Sequence, residues 1–386
     1  MPVPSLPLDL VFEIVSHLEE EEKIAEQIQG GKTVSLVCRA WRSLGQALRW
    51  RRVKIERLQL SSLLDHFAQF PHLANLVRDF RLDGSLSQDL GSLDSSLEEA
   101  LPQIPRFLSI LVNLARFVIS GDMEEDLVPI LKAASHLDNL RFLRLRAWGD
   151  FDCSNEFVAS FRSGFKSLST LFFTAYNPTQ SSFQLDNTIA SSHKIPIKSL
   201  GIRWKIRPAE PSTLSNDFLS IVDPATLRSV HLFGHAACPD LLKCLSGHSN
   251  LVNLNLQLDS QENVGDLKQI LPILTRFSAL KGITLQLTDL DKEDGFESPV
   301  SLFEIIACIP PSLRGFSARQ FIFPDFYQIP VRQVKLSHES RNVKCILVRC
   351  PLDMLGSTYT FVWGEEIEGK LQWFREPQEA NAAEAE

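Results

Sequence analysis

The feature that most constrains this chain is a cluster of the form apolar-x-x-apolar-x-apolar that returns along most of its length. Its first positions are Val77, Leu114, Leu140, Leu168, Ile197, Leu227, Leu251, Leu280, Leu313 and Val331. From Leu114 to Leu313 the spacing stays between 24 and 33 residues, the length of one small supersecondary unit. Each cluster alternates apolar and polar side chains, as in Leu143-Arg144-Leu145-Arg146 and Leu254-Asn255-Leu256-Gln257. Period-two alternation describes a short strand with one face buried. Helix-like stretches lie between clusters at 155–165, 216–222, 240–245, 264–277 and 300–309. A strand, loop and helix too short to bury its own apolar edge must stack against the next copy, so the pattern predicts an α/β solenoid. The 57 leucines, against three tyrosines and three methionines, agree with a core built largely from one side chain.

After Val331 the texture changes to strand-like segments at 343–348, 358–363 and 370–374, expected to cap the open end of the solenoid. Residues 376–386 are acidic and alanine-rich, and are expected to form a disordered tail. The expected domains are therefore 4–53, a repeat body at 56–340, a strand-rich cap at 341–375 and the tail.

The first fifty residues read differently. Pro7 suits the first turn of a helix and Asp9 its positive end. Leu10, Ile14 and Leu18, with Val11 and Val15 beside them, form one apolar stripe over 7–18. Thr33 is a candidate N-cap for a second helix, in which Val34, Val37, Cys38, Trp41, Leu44 and Leu48 share a face. Two short amphipathic helices bury little by themselves, so this segment needs the body or a partner.

The blocks Leu6-Pro7-Leu8-Asp9-Leu10 with Glu13-Ile14 and Leu18, then Ser35-Leu36-Val37-Cys38-Arg39-Ala40-Trp41-Arg42, then Leu48-Arg49-Trp50 with Val53, resemble the F-box in order and type. Nineteen residues separate Leu18 from Cys38, which looks like an insertion in the loop between the first two helices. The resemblance implies a three-helix trap that binds a Skp-family linker, and through it a cullin-RING ubiquitin ligase. Carried over to this chain, Leu6, Pro7, Leu10 and Ile14 would insert into the linker, with Leu36, Val37 and Leu44 in support, while Cys38 and Trp41 hold the trap together. The body resembles the degenerate leucine-rich repeats that follow the F-box in many fungal proteins. The positions where regular repeats carry a buried Asn or Cys hold Trp148, Tyr176, His235, Asp259 or Thr288, so an irregular solenoid is expected.

The function implied is that of a non-catalytic substrate adaptor. The alternative is a repeat scaffold, bound to the linker or free of it, that never delivers ubiquitin. If the strands line a sheet, the outward positions Arg144, Arg146, Trp148, Phe172, Tyr176, Arg203, Lys205, His231 and Phe233 form a basic and aromatic face for a protein substrate, one with an acidic or phosphorylated segment.

Other chemistry finds little support. A net charge of −8 speaks against a general nucleic-acid or membrane-surface binder, and no apolar run reaches the roughly 20 residues of a membrane span. Seven scattered cysteines and a start without a basic-then-apolar leader favour the reducing cytoplasm or nucleus. His231, His235, Cys238, Cys244 and His248 lack the tight pairs of a structural zinc site. Gly30-Gly31-Lys32-Thr33 lacks the first glycine of a phosphate loop, since position 26 is Glu26. In the stretch from Asp289 to Gly295, Asp294 stands where a calcium loop needs glycine. No nucleophile elbow or metal-binding helix motif occurs, so no catalytic residue, metal or cofactor is expected.

Overall fold

The computed structural model describes residues 42–56, 59–83, 102–121, 127–152, 160–161, 164–179, 194–207, 219, 222–259, 264–287, 296–297, 300–310, 312–319, 321–322, 344–350, 358–367 and 370–375. The chain divides into two compact units, Met1–Leu171 and Phe172–Glu386, and the fold class is α/β. Among the described residues no helix is long and apolar enough to cross a membrane.

In the first unit, helix α1 (Arg42–Arg51) runs straight into strand β1 (Arg52–Glu56). Helices α2 (Leu60–Gln69) and α3 (Pro71–Ala74) lead to β2 (Asp79–Asp83). Then come α4 (Gln103–Ile110), β3 (Arg116–Gly121), α5 (Leu127–Ser135) and β4 (Phe142–Asp152). The strands lie in the order β1-β2-β3-β4, all parallel. Each helix turns one apolar stripe inward. In α4 the fully buried Ile104, Phe107 and Leu108 recur at i, i+3 and i+4, and in α5 Leu127, Ile130, Leu131 and Ala134 follow the same spacing.

The second unit holds β5 (Thr170–Thr179, entered two residues before the division), β6 (Ser199–Trp204), β7 (Ser229–Gly234), α6 (Pro239–Leu245) and β8 (Asn253–Leu258). After these come α7 (Leu267–Leu274), β9 (Gly282–Leu287), the two-residue β10 (Phe296–Glu297), α8 (Leu302–Ala307), β11 (Gly315–Arg319) and β12 (Phe321–Ile322). Its sheet runs β5-β6-β7-β8-β9-β11-β13-β14-β15, while β10 and β12 pair separately. Helix α8 opens with a reciprocal cap: Ser301 N–H donates to Glu304 Oε2 at 2.6 Å and Glu304 N–H to Ser301 Oγ at 3.0 Å, which satisfies two donors the helix leaves unpaired.

The repeat read from the sequence is the repeat of the fold. Val77, Leu114, Leu140, Leu168, Ile197, Leu227, Leu251, Leu280 and Leu313 each stand two residues before a strand, and each is at most 4% exposed. The residue between them and the strand carries the register from one copy to the next. Ala115 and Arg116 N–H both donate to Arg78 O, and Arg141 and Phe142 N–H to Ala115 O. In the second unit Lys198, Arg228, Val252 and Lys281 each accept two N–H groups from the following repeat. The step is a backbone device, so it survives the irregular side chains. The tenth position, Val331, lies outside the described residues.

The strand-rich end also takes the expected form. Strand β13 (Lys344–Cys350) joins β11 in parallel, then β14 (Thr358–Ile367) and β15 (Lys370–Arg375) continue antiparallel. Three strands thus cover the edge that the last repeat would leave with unpaired backbone groups. Residues 376–386 lie outside the described set.

Candidate protein-docking face

Alternation along each parallel strand sends every second side chain to the outer face of its sheet, and the register decides which of them are neighbours. In the first unit three rows cross the sheet: Arg52, Asp79, Arg116 and Phe142; Lys54, Arg81, Val118 and Arg144; Glu56, Asp83, Ser120 and Arg146. Six cations face three carboxylates, an excess of positive charge on a chain whose net charge is −8.

The carboxylates organise this face. Asp79 accepts from Arg81 through Nε at 3.3 Å and Nη2 at 3.1 Å, and lies 3.9 Å from Arg116 Nε. Arg116 also stacks over the Phe142 ring, 4.1 Å from its centroid. Burial lowers the pKa of its guanidinium against the opposing pull of Asp79. Lys54 pairs with Asp83 at 2.7 Å, and Ser120 Oγ donates to the same carboxylate at 3.2 Å. Arg144 and Arg146 complete the rows on β4, beside Val118 and Ser120.

The second unit separates the aromatic part of the expected face from its charge. His231 lies between Phe172 and Phe233, with ring centroids 5.7 and 6.4 Å away. Phe172 fits because residue 201 is glycine; a Cβ there would come within 2.1 Å of the Phe172 ring. Ser229 Oγ lies 3.2 Å from His231 Nε2, and Asn255 Nδ2 lies 3.5 Å from Nδ1. Arg203 is paired with Asp259 at 3.5 Å, and Lys205 is exposed just beyond the end of β6. Trp148 and Tyr176 fall on β4 and β5, but their side chains lie outside the described set, as does that of Leu44 on α1. Leu6, Pro7, Leu10, Ile14, Leu36 and Val37 lie outside the described residues altogether.

Arg52, Lys54, Arg81 and Arg116 join the face in addition to the residues expected from the sequence. The signal was present in the alternations Arg52-Val53-Lys54-Ile55-Glu56 and Asp79-Phe80-Arg81-Leu82-Asp83, which have the same form as the Leu143 cluster.

Among the described residues no group of three or more His, Cys, Asp or Glu side chains converges as metal ligands would. Cys238 and Cys244 belong to the start and body of α6, and burial raises the pKa of both thiols. Burial likewise lowers the pKa of His231 and His248 below the ordinary 6.5. Well above that value both rings are neutral, folded or unfolded. As pH falls through it the unfolded rings take up protons that the folded rings resist, so stability declines with acidification. Thermal melts from about pH 8 to pH 5 should show this decline, and a His231→Gln/His248→Gln variant should show a smaller one; an unchanged slope would remove these histidines as its source.

Compared with known proteins, the sequence matches no family model and no curated relative.

Proposed function

We propose that this chain is a substrate-recognition adaptor of a Skp-cullin-F-box ubiquitin ligase, acting in the cytoplasm or nucleus. It would hold a protein client near the ligase and leave the chemistry to other subunits. The observation that carries this reading is the set of three blocks within residues 4–53, from Leu6-Pro7 through Leu36-Val37-Cys38 to Leu48-Arg49-Trp50, ahead of a repeat body.

The closing block of the three packs directly on the repeat body. Leu48 is 2% exposed, and the Trp50 ring stacks on His66 of α2 at 5.2 Å and contacts Phe67 at 5.5 Å. Helix α1 then passes into β1 without a linker. The closing block would therefore fix the trap to the sheet, and a client on the sheet would sit at a set distance from the linker, which raises its effective concentration there.

Co-purification of the full chain with a Skp-family linker and a cullin tests the proposal. Retention of both supports the adaptor. Linker without cullin favours a scaffold outside ubiquitin transfer, and retention of neither removes the F-box reading.

The client face we assign to the outer side of β1–β4, whose excess of arginine and lysine suits an acidic or phosphorylated segment. Short aspartate-rich and phosphoserine peptides should bind the full chain more weakly as salt rises. Arg144→Glu/Arg146→Glu should weaken them by about tenfold or more; unchanged binding by the double variant would dismiss this face.

A further inference from the structure

Four glycines of the second unit stand in or at the end of its parallel strands, and two of them have an evident structural cause. The space over Gly201 is filled by Phe172, and Gly234 has a φ of 60° with Trp204 O only 2.6 Å from where a Cβ would stand. Gly282 and Gly315 have no such cause. They are partners in register on β9 and β11. A Cβ on Gly315 would meet nothing within 4 Å, and one on Gly282 would meet only the end of the Asn253 side chain, with Oδ1 at 2.8 Å. Each is the first residue of its strand, and without a Cβ it leaves room on the sheet face for another backbone or a ligand to come close.

Over these two glycines lies an open pocket of about 410 Å³, lined on the outer face by Ser229, His231, Asn253, Asn255, Thr284 and Ser317. The register builds it from two adjacent rows: Ser229, Asn253, Gly282, Gly315, and His231, Asn255, Thr284, Ser317. None of the eight carries a carboxylate, an amine or a guanidinium. This contrasts with β1–β4, where nine of the twelve outer positions in the three rows are charged. The volume lies in the range of ligand pockets.

We propose that this pocket receives an uncharged, extended stretch of a protein client, whose main-chain amides lie across the glycine floor. The inference deepens the adaptor reading and rests on it. Carboxamides and hydroxyls offer donor and acceptor together, which is what a peptide group presents, while the absence of charge leaves acidic and basic segments no partner for the water they would lose. Asn255 Oδ1 and Ser317 Oγ are buried without a hydrogen-bond partner, and exchanging the two ends of the Asn255 carboxamide only transfers the unmet need to Nδ2. A peptide amide reached by rotation of either side chain would meet it. The missing Cβ atoms at 282 and 315 let a backbone approach the sheet as no other residue there would allow.

The test uses the full chain and three sets of immobilised short peptides: uncharged ones of Asn, Gln, Ser and Gly, acidic ones, and basic ones. The uncharged set should bind with little dependence on salt, in contrast to the acidic set expected at β1–β4. Gly315→Val should weaken it by about tenfold or more while the thermal midpoint holds or rises, because the new side chain meets only the cavity and valine favours a strand. Gly282→Val should do the same, since only the mobile end of Asn253 must move. Equal binding by wild type and Gly315→Val overturns the proposal, as does wild-type failure to retain the uncharged set. Linker capture is scored on the same preparations. Linker retained with no uncharged peptide bound fails the pocket alone. Peptide binding that Gly315→Val abolishes, with no linker retained, upholds the pocket and fails the adaptor.

Discussion

Simultaneous replacement of Leu6, Pro7 and Ile14 by alanine is expected to abolish retention of a Skp-family linker while leaving the chain folded. In the F-box that this segment resembles, these side chains enter the linker's apolar surface. Each buried aliphatic side chain contributes about 1.5–3 kcal/mol relative to exposure. Truncating three together therefore removes several kcal/mol, and each 1.4 kcal/mol is a factor of about ten in affinity. The thermal midpoint should stay near that of the wild type, the result expected if these side chains serve the linker contact rather than the chain's own core. Pull-down of both proteins against linker and cullin, with a melting curve for each, checks the result. Undiminished linker retention by the triple variant would show that the opening block is not the contact.

Phe107→Ala should be the most damaging single truncation in the first unit, costing about 3–5 kcal/mol. Phe107 is fully buried on α4, with its ring 4.6 Å from that of Phe80 on β2 and 5.8 Å from that of Phe67 on α2. Phe80 in turn stacks on Phe117 of β3 at 5.9 Å. Alanine would leave a void among three elements that cannot all close on it, because each strand is held by its neighbours' backbone bonds. A domain's whole stability is about 5–15 kcal/mol, so the loss should be plain in denaturant melts. Val112→Ala, at a side chain 54% exposed, should change stability by less than about 0.5 kcal/mol. If Phe107→Ala costs no more than the Val112 control, the aromatic stack is not what holds the unit together.

The same stack links the fold to the proposed function. Trp50 touches Phe67, and Phe67 touches Phe107, so packing runs from the last block of the F-box-like segment into the first repeats. The resemblance covers residues 4–53, yet β1 begins at Arg52, and the segment's closing residues already belong to the sheet.

The positions of the strands were legible because their causes are local. An apolar residue, a step of two and an alternating run specify a half-buried strand wherever they recur, and the leading apolar residue found its place two before the strand in nine described repeats. Helices α7 and α8 fell within expected stretches, and α6 matched its own but for starting one residue earlier, at Pro239, for a similar reason, one face of leucine and isoleucine at helical spacing. Helices α2 to α5 lie outside every expected helical stretch, although α4 and α5 carry the same stripe.

The composition of the docking face depended on non-local facts. Arg144 and Arg203 looked equivalent as outward arginines on alternating strands. The fold sets Arg144 on a face rich in cations and gives Arg203 the carboxylate of Asp259, 56 residues further along the chain. Likewise His231 could be read as a member of a Cys/His cluster, but the strand register turns it toward Phe172, Ser229 and Asn255.

By itself, the sequence determined the α/β class, the repeat and its phase, the buried face of the described repeat strands, the stranded cap and the F-box-like blocks on which the proposed function rests. These follow from chemistry within a few residues of each position. Only the tertiary structure decided which outward side chains stand side by side, which charges cancel, and that Gly282 and Gly315 meet to open a neutral pocket. Those depend on hydrogen-bond register between strands some thirty residues apart, and a shift of a single residue would turn each strand's outward set to its buried face.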